Sequence, residues 1–148
     1  MSVTVRVVAD EADLKACYAL RFEVFVDEQG VSAESEIDAE DAGATHLLLL
    51  EDAVPIGTLR ILRDGDTARI GRVCLRASAR GRGLGAALMR RAIAVIEEDR
   101  TVARIKLSAQ VTVVGFYEGL GFTAYGPLYD DERIPHQAME RQLAPAAG

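Results

Sequence analysis

Lysine and cysteine are scarce in this 148-residue chain, and each scarcity excludes a class of site. Neither Lys15 nor Lys106 follows a glycine, so the Gly-Lys pair of a Walker-type phosphate loop is absent and a kinase or NTPase of that kind is excluded. Cys17 and Cys74 lack the C-x-x-C spacing of a metal site, and we expect no metal. We expect both to be buried free thiols in a reducing cytoplasm.

Long apolar runs are absent as well. No stretch approaches the ~20 apolar residues that a membrane span requires. The start of the chain, residues 1–15, has no basic region followed by an apolar core, so we expect no signal peptide and no membrane partner. The net charge of −6 argues against a nucleic-acid partner.

Basic residues are concentrated in the middle of the chain. Residues 58–106 hold 12 of the 17 Lys and Arg residues but only 5 of the 23 Asp and Glu residues. A small polyanion would suit this segment, although solvated surface alone also produces such asymmetry.

Hydrophobic periodicity predicts one α+β domain over residues 1–148. Helical spacing is found in 11–29, ending near Gly30, in 84–98, and in a short segment stopped by Gly119 and Gly121. The acidic segment 31–43 has little periodicity and is predicted to be a loop with at most a short helical turn. Strands are predicted over 3–9, 45–51, 53–62, 67–75, 104–109, from Phe122 onward, and 135–143. Antiparallel and crossover connections together predict a mixed central sheet of six or seven strands, flanked by helices in three layers.

The stretch "RGRGLG", residues 80–85, lies between a predicted strand and a predicted helix. It continues into Ala86 and formally matches the dinucleotide fingerprint G-x-G-x-x-G/A. That fingerprint needs an acid about 20 residues further on to bind a ribose hydroxyl. Residues 100–117 contain no acid, which disfavours a nicotinamide-dependent reductase.

The same stretch has the composition of an anion site. Glycines let backbone N–H groups approach a ligand, and the first turn of the following helix adds unpaired donors and the positive end of its dipole. Arg80 and Arg82 add charge and bidentate donors. We therefore expect a phosphate or pyrophosphate site. The alternative is a tight turn that needs glycines only because a side chain would not fit there.

Two motifs resemble those of the GNAT superfamily of N-acetyltransferases. Arg80, Gly83 and Gly85 match its R-x-x-G-x-G acyl-CoA signature, and "QVTVVGFYEGLGF" is similar to its N-x-x-A-x-x-x-Y-x-x-x-G-F segment. "LRFEVFVDEQ" and "RIPHQAM" resemble the ElaA-type branch. Gln110 replaces the usual Asn, and its amide can still hydrogen-bond to the pantetheine arm or the neighbouring strand. Arg133 replaces the Gly that usually precedes Ile-Pro-His.

This resemblance implies that acetyl-CoA is the co-substrate and that the sheet is splayed near Leu75 and Ala109 to admit it. Backbone groups of Val73 and Leu75 would pair with the pantetheine arm, and the N–H groups of residues 81–86 would bind the pyrophosphate. The cofactor-binding residues expected on this basis are Val73, Leu75, Arg80, Gly81, Arg82, Gly83, Leu84, Gly85, Ala86, Gln110 and Phe116.

Thioester aminolysis needs a neutral amine, a donor for the oxyanion and a proton for the leaving thiolate. Tyr117 is the candidate acid by the family register, although it could simply pack beside Phe116. The oxyanion donor would be a strand N–H near Val73 to Leu75. Candidate acceptor-binding residues are Glu36, Asp38 and Asp41 in the acidic segment, and His136 in the late motif; residues 27–41 hold seven acids and no base, which would attract a cationic amine. His46, which precedes a buried strand, is expected to be structural.

The expected function is therefore acetyl transfer from acetyl-CoA to a primary amine of a small molecule or peptide, by direct attack. The alternative is a non-catalytic acyl-CoA-binding sensor on the same fold. Either would act as a cytoplasmic monomer or homodimer.

Overall fold

The secondary structure follows the predicted order, with additions near the C-terminus. The computed structural model describes residues 2–144. Over this range the helices are α1 (Glu11–Arg21), α2 (Ala33–Glu36), α3 (Leu84–Glu97) and α4 (Val114–Glu118). The strands are β1 (Val3–Val7), β2 (Thr45–Glu51), β3 (Val54–Asp64), β4 (Thr67–Leu75), β5 (Arg104–Gln110), β6 (Thr123–Ala124), β7 (Tyr129–Asp131) and β8 (Ile134–Gln142).

Within residues 2–144 the strands form one mixed sheet in the order β1-β2-β3-β4-β5-β8-β6, with β7 paired to β8. β1 to β4 are antiparallel neighbours, whereas β4 and β5 are parallel because α3 connects them as a crossover. The predicted α+β class is confirmed. The described residues form eight strands where six or seven were predicted, because β6 and β7 have two and three residues and are too short for alternation to reveal.

Strand β2 is buried on both faces, as its continuous apolar run predicts. Leu47 and Leu49 pack in the core cluster that contains the apolar face of α3. Leu48 and Leu50 pack in the second cluster, with Cys17 of α1. Since successive strand side chains point to opposite faces, one run of leucines joins the sheet to the helices on either side.

The first helix changes its pitch partway along. After α1 ends, Phe22–Glu28 continue as a π-helix, in which the N–H of Gln29 donates to the carbonyl of Val24 at 3.2 Å. The sequence predicted one regular helix over residues 11–29. A hydrophobic pattern with a period of 3.6 residues cannot reveal the wider turn of a π-helix. It ends before Gly30, whose φ of 73° is the left-handed conformation expected of a helix stop.

Strand β4 contains a β-bulge in its second half. Arg60 and Thr58 of β3 pair with Gly71 and Cys74 of β4, so two residues of β4 stand opposite one residue of β3. Arg72 lies in this bulge with a φ of 53°. A bulge of this kind bends its strand and increases the local twist.

Strands β4 and β5 separate just before the bulge. Their parallel pairing ends at Ile70 and Leu107, whereas β5 continues to pair with β8 as far as Gln110. The gap begins after these two residues and extends past Leu75 and Ala109, where the resemblance predicted splayed strands.

The hairpin between β7 and β8 turns through two non-glycine residues in the left-handed region. Glu132 has a φ of 51° and Arg133 a φ of 65°. A left-handed residue with a Cβ is disfavoured by ~1–2 kcal/mol, and glycine avoids this at an entropic cost of ~0.5–1 kcal/mol. Arg133→Gly should therefore raise the free energy of unfolding by about 0.5–1 kcal/mol.

Thermal or urea unfolding of the two proteins measures this difference. Asp130→Gly is the matched control, because Asp130 lies in β7, outside the positive-φ turn, and glycine there should destabilise. A lower melting temperature for Arg133→Gly would contradict the expectation.

Candidate active site

A cavity of about 740 Å³ occupies the gap between β4 and β5. Its walls come from the glycine turn, both separating strands, the π-helix, α2, α4 and the β7–β8 hairpin. Most of the residues predicted to bind the cofactor line it. These are Val73, Leu75, Arg80, Gly81, Gly83, Leu84, Gly85, Ala86, Gln110 and Phe116.

The glycine turn forms one end of the cavity and leads into α3. Gly81 and Gly83 have φ values of 74° and 76°, and Gly83 is the N-cap of α3 without any side-chain cap. The first intrahelical hydrogen bond of α3 goes from the N–H of Ala87 to the carbonyl of Gly83. The N–H groups of residues 84–86 therefore point out of the helix end, where its dipole favours an anion.

Gly85 faces Phe116 and Leu75 at close range. A Cβ at this position would lie 3.4 Å from Cζ of Phe116 and 3.6 Å from Cδ1 of Leu75. Helix α3 thus approaches α4 and β4 closely at the cavity wall.

The two arginines of the turn have different surroundings. Arg80 lines the cavity, donates to the carbonyl of Leu75 at 2.9 and 3.1 Å, and pairs with Glu28 at 2.8 Å. Arg82 pairs with Glu51 of β2 and lies outside the cavity lining. The structure therefore does not support the predicted role of Arg82 in phosphate binding.

Tyr117 is buried in α4, with 7% of its surface exposed, and lines the cavity. Its ring makes edge-to-face contacts with Phe116 and Phe122, at centroid distances of 5.0 and 6.1 Å. Burial raises the pKa of its hydroxyl to about 12. Tyr117 therefore packs against its aromatic neighbours and also borders the cavity. Its hydroxyl is protonated at neutral pH.

Gln110 links β5 to the end of the π-helix across the cavity. Its Nε2 donates to Oε1 of Gln29 at 2.8 Å, and both residues line the cavity. Gln29, together with Val24 and Phe25 of the π-helix, was not predicted as a site residue. The helical periodicity alone could not indicate which of its faces meets the cavity.

His136, on β8, lines the cavity and is paired with Gln110 of β5. Its Nδ1 is 2.7 Å from the carbonyl of Ile134, and its ring stacks on Tyr129 at a centroid distance of 6.0 Å. A hydrogen bond from Nδ1–H to Ile134 leaves Nε2 as the acceptor nitrogen of the neutral ring. His46, by contrast, is buried with Nε2 3.0 Å from the carbonyl of Asp41, which agrees with a structural role.

The acidic segment folds into α2 and a 3₁₀ turn, Ala39–Gly43, around buried arginines. Arg21, with 1% of its surface exposed, pairs with Glu36 at 2.6 Å and with Asp41 at 2.7 Å. Arg60 pairs with Asp38 at 2.8 Å and with Asp41 at 2.9 Å. The three carboxylates are thus engaged by cations from α1 and β3.

This network corrects the prediction that Glu36, Asp38 and Asp41 bind the acceptor. Burial alone would raise the pKa of Asp41, but hydrogen bonds from Arg21, the Asp38 N–H and Arg60 hold that pKa well below its usual range. Asp38 and Asp41 lie outside the cavity lining, and Glu36 reaches it while bound to Arg21. The charge of these three carboxylates is thus neutralised by arginines of the protein itself.

No helix within residues 2–144 is long and apolar enough to cross a membrane. Among those same residues, no group of His, Cys, Asp and Glu side chains has an arrangement that could hold a metal ion.

Known proteins share both the sequence and the fold. Residues 8–143 match the family described as acetyltransferase (GNAT) domain. The uncharacterized N-acetyltransferase YjcF of Bacillus subtilis is 31% identical over 131 residues, which cover 88% of this chain and 93% of that protein.

Two solved structures superimpose closely. An acyl-CoA N-acyltransferase from Pseudomonas aeruginosa is 34% identical with a TM-score of 0.82, and the match covers 95% of this chain and 98% of that chain. Escherichia coli ElaA is 26% identical with a TM-score of 0.86, and the match covers 95% of this chain and 99% of that chain. The predicted family resemblance is confirmed, and the chain belongs to the GNAT acetyltransferases, in their ElaA-type branch.

Proposed function

We propose that this enzyme transfers an acetyl group from acetyl-CoA to a primary amine of a small molecule or peptide. The observation that carries the proposal is the cavity between β4 and β5, which joins the glycine turn to His136 and passes Tyr117. A donor thioester and an acceptor amine could then meet in one space without a covalent enzyme intermediate.

Each part of the cavity has a role in this proposal. The N–H groups of residues 81–86 bind the pyrophosphate, with Arg80 beside them, and Phe116 and Gln110 border the cofactor arm. Backbone groups of Val73 and Leu75 pair with that arm. The N–H of Val73 is our candidate donor to the oxyanion, because β4 has left β5 at this position.

The amine nitrogen forms a bond to the acetyl carbon and the C–S bond breaks, while Tyr117 donates a proton to the departing thiolate. The proton that the attacking nitrogen loses passes to solvent, from which Tyr117 is reprotonated. Its raised pKa keeps the phenol protonated in the resting enzyme, as a general acid requires. His136 lies in the acceptor end and orients the amine, with Nε2 as a hydrogen-bond acceptor. The buried free thiols Cys17 and Cys74 agree with a cytoplasmic location.

Thiol release from acetyl-CoA, measured across a panel of primary amines, polyamines and peptides, tests the proposal. We expect release that depends on the amine, together with an acetylated product detectable by mass spectrometry. Parallel reactions with longer acyl-CoA thioesters test the preference for acetyl. CoA binding without amine-dependent thiol release would instead favour the acyl-CoA sensor.

A further inference from the structure

Arg72 adopts a backbone conformation that its side chain does not favour. It lies inside strand β4, in the bulge, with a φ of 53°. Any residue with a Cβ is strained in this region, and such strain persists where surrounding contacts overdetermine it. The contacts that hold Arg72 are therefore informative about the bulge.

The Arg72 guanidinium binds the α2 segment. Nε lies 3.3 Å from Oε2 of Glu36 and also donates to the Glu36 carbonyl at 3.3 Å. Nη2 donates to the carbonyls of Ser35 and Glu36, each at 3.3 Å, and lies 3.4 Å from Oδ2 of Asp38. One cation thus reaches several acceptors on a neighbouring element.

Glu36 extends this connection into the core. It is 2% exposed, and its Oε1 accepts from Nε of Arg21 at 2.6 Å while its carbonyl accepts from Nη2 of Arg21 at 2.7 Å. Arg21 is itself almost fully buried in α1. Glu36 therefore connects the bulge to a buried arginine of α1.

We propose that Arg72 is a positioning residue that fixes the bulge of β4 through Glu36 and so orients the backbone N–H of Val73 toward the reacting carbonyl. The inference rests on the proposed function. The Val73 N–H belongs to the peptide unit that directly follows Arg72, and Arg72, Val73 and Glu36 all line the cavity. Holding that unit in place preorganises the donor before the oxyanion forms.

Steady-state kinetics of Arg72→Ala test this role. Loss of one preorganised donor costs about 10²–10³ in turnover, so a loosened donor should lower kcat by about 10- to 100-fold. The KM values for acetyl-CoA and amine should change little. Arg72→Lys should recover part of kcat, because an ammonium can still pair with Glu36 but lacks the fork that reaches the carbonyls.

Arg69→Ala is the matched control, an arginine of the same strand that is exposed and lies 3.8 Å from Asp64. It should leave kcat unchanged. An unaltered kcat in folded Arg72→Ala would overturn the proposal, as would a raised amine KM with kcat intact. If the alanine variant does not fold, the kcat of Arg72→Lys decides by the same criteria.

Amide hydrogen exchange separates this inference from the proposed function. Exchange in residues 71–75 should be faster in Arg72→Ala than in wild type or Arg69→Ala. Unchanged exchange would contradict the proposal that Arg72 fixes the bulge, whether or not the enzyme is active. Wild-type protein that binds CoA but releases no thiol would contradict the proposed function, and the exchange result would still decide whether Arg72 holds the bulge.

Discussion

Gly83→Asp is expected to abolish CoA binding. Gly83 is the N-cap of α3 and lines the cavity, so a carboxylate there would stand among the N–H groups proposed to bind the pyrophosphate. Like charges placed together at an interface cost several kcal/mol, which corresponds to an increase in Kd of about 100-fold or more. Isothermal titration with CoA measures the loss.

Gly65→Asp is a closely matched control. Gly65 has a φ of 61° and Gly83 a φ of 76°, and a Cβ at either position meets no atom within 4 Å. Both variants therefore introduce the same charge and similar backbone strain, but Gly65 lies in the turn between β3 and β4. Equal CoA affinity in the two variants would remove the glycine turn as the pyrophosphate site.

Gly85→Asp also tests the glycine turn, but at a position where the new side chain has neighbours within 4 Å. Its φ is not in the left-handed region, and a Cβ there would make van der Waals contact with Phe116 and Leu75. Gly85→Ala introduces the contact without the charge. If charge is decisive, the alanine variant should retain much of its CoA affinity while the aspartate variant should not.

The sequence predicts best where the signal is local. A continuous apolar run indicated that β2 is buried on both faces, and glycines next to a helical pattern indicated the turn before α3. Each of these features depends on residues adjacent in the chain. The splayed strands were expected from family resemblance alone, since no local pattern reports a gap between β4 and β5.

The acidic segment was misinterpreted because its partners are distant in sequence. Residues 27–41 contain no base, so the segment looked like unneutralised charge, yet Arg21 and Arg60 pair with it from α1 and β3. A signal was present in those two arginines. Each interrupts an apolar run, in "ALRF" and "TLRI", and a cation buried there requires a carboxylate partner.

Arg82 shows a second limit of prediction from sequence, which concerns side-chain direction. Arg80 and Arg82 were both expected to add charge to the anion site, but the left-handed glycines between and after them change the chain direction. Arg80 then meets Glu28 near the cavity, whereas Arg82 meets Glu51 on β2. Side-chain direction in a turn depends on φ and ψ, which composition does not determine.

Tyr117→Phe should lower kcat by about 10²-fold or more while CoA affinity stays nearly unchanged, since general acid catalysis contributes ~10²–10⁴. The change removes only the hydroxyl, and the edge-to-face contacts with Phe116 and Phe122 remain available. Within residues 2–144, no side chain or backbone group hydrogen-bonds to this hydroxyl, so its loss leaves no protein donor or acceptor unpaired. The fold should therefore be retained.

Tyr125→Phe is the control, because Tyr125 is partly exposed, contacts Lys106 and lies outside the cavity lining. The pH dependence adds a second test. A free tyrosine has a pKa near ~10, but that of Tyr117 is raised to about 12, so the acid stays protonated while an alkylamine acceptor deprotonates. Wild-type kcat/KM should then rise toward about pH 10 without an alkaline decline from Tyr117. Unchanged turnover in Tyr117→Phe would reduce this residue to a packing role and leave solvent as the source of the proton.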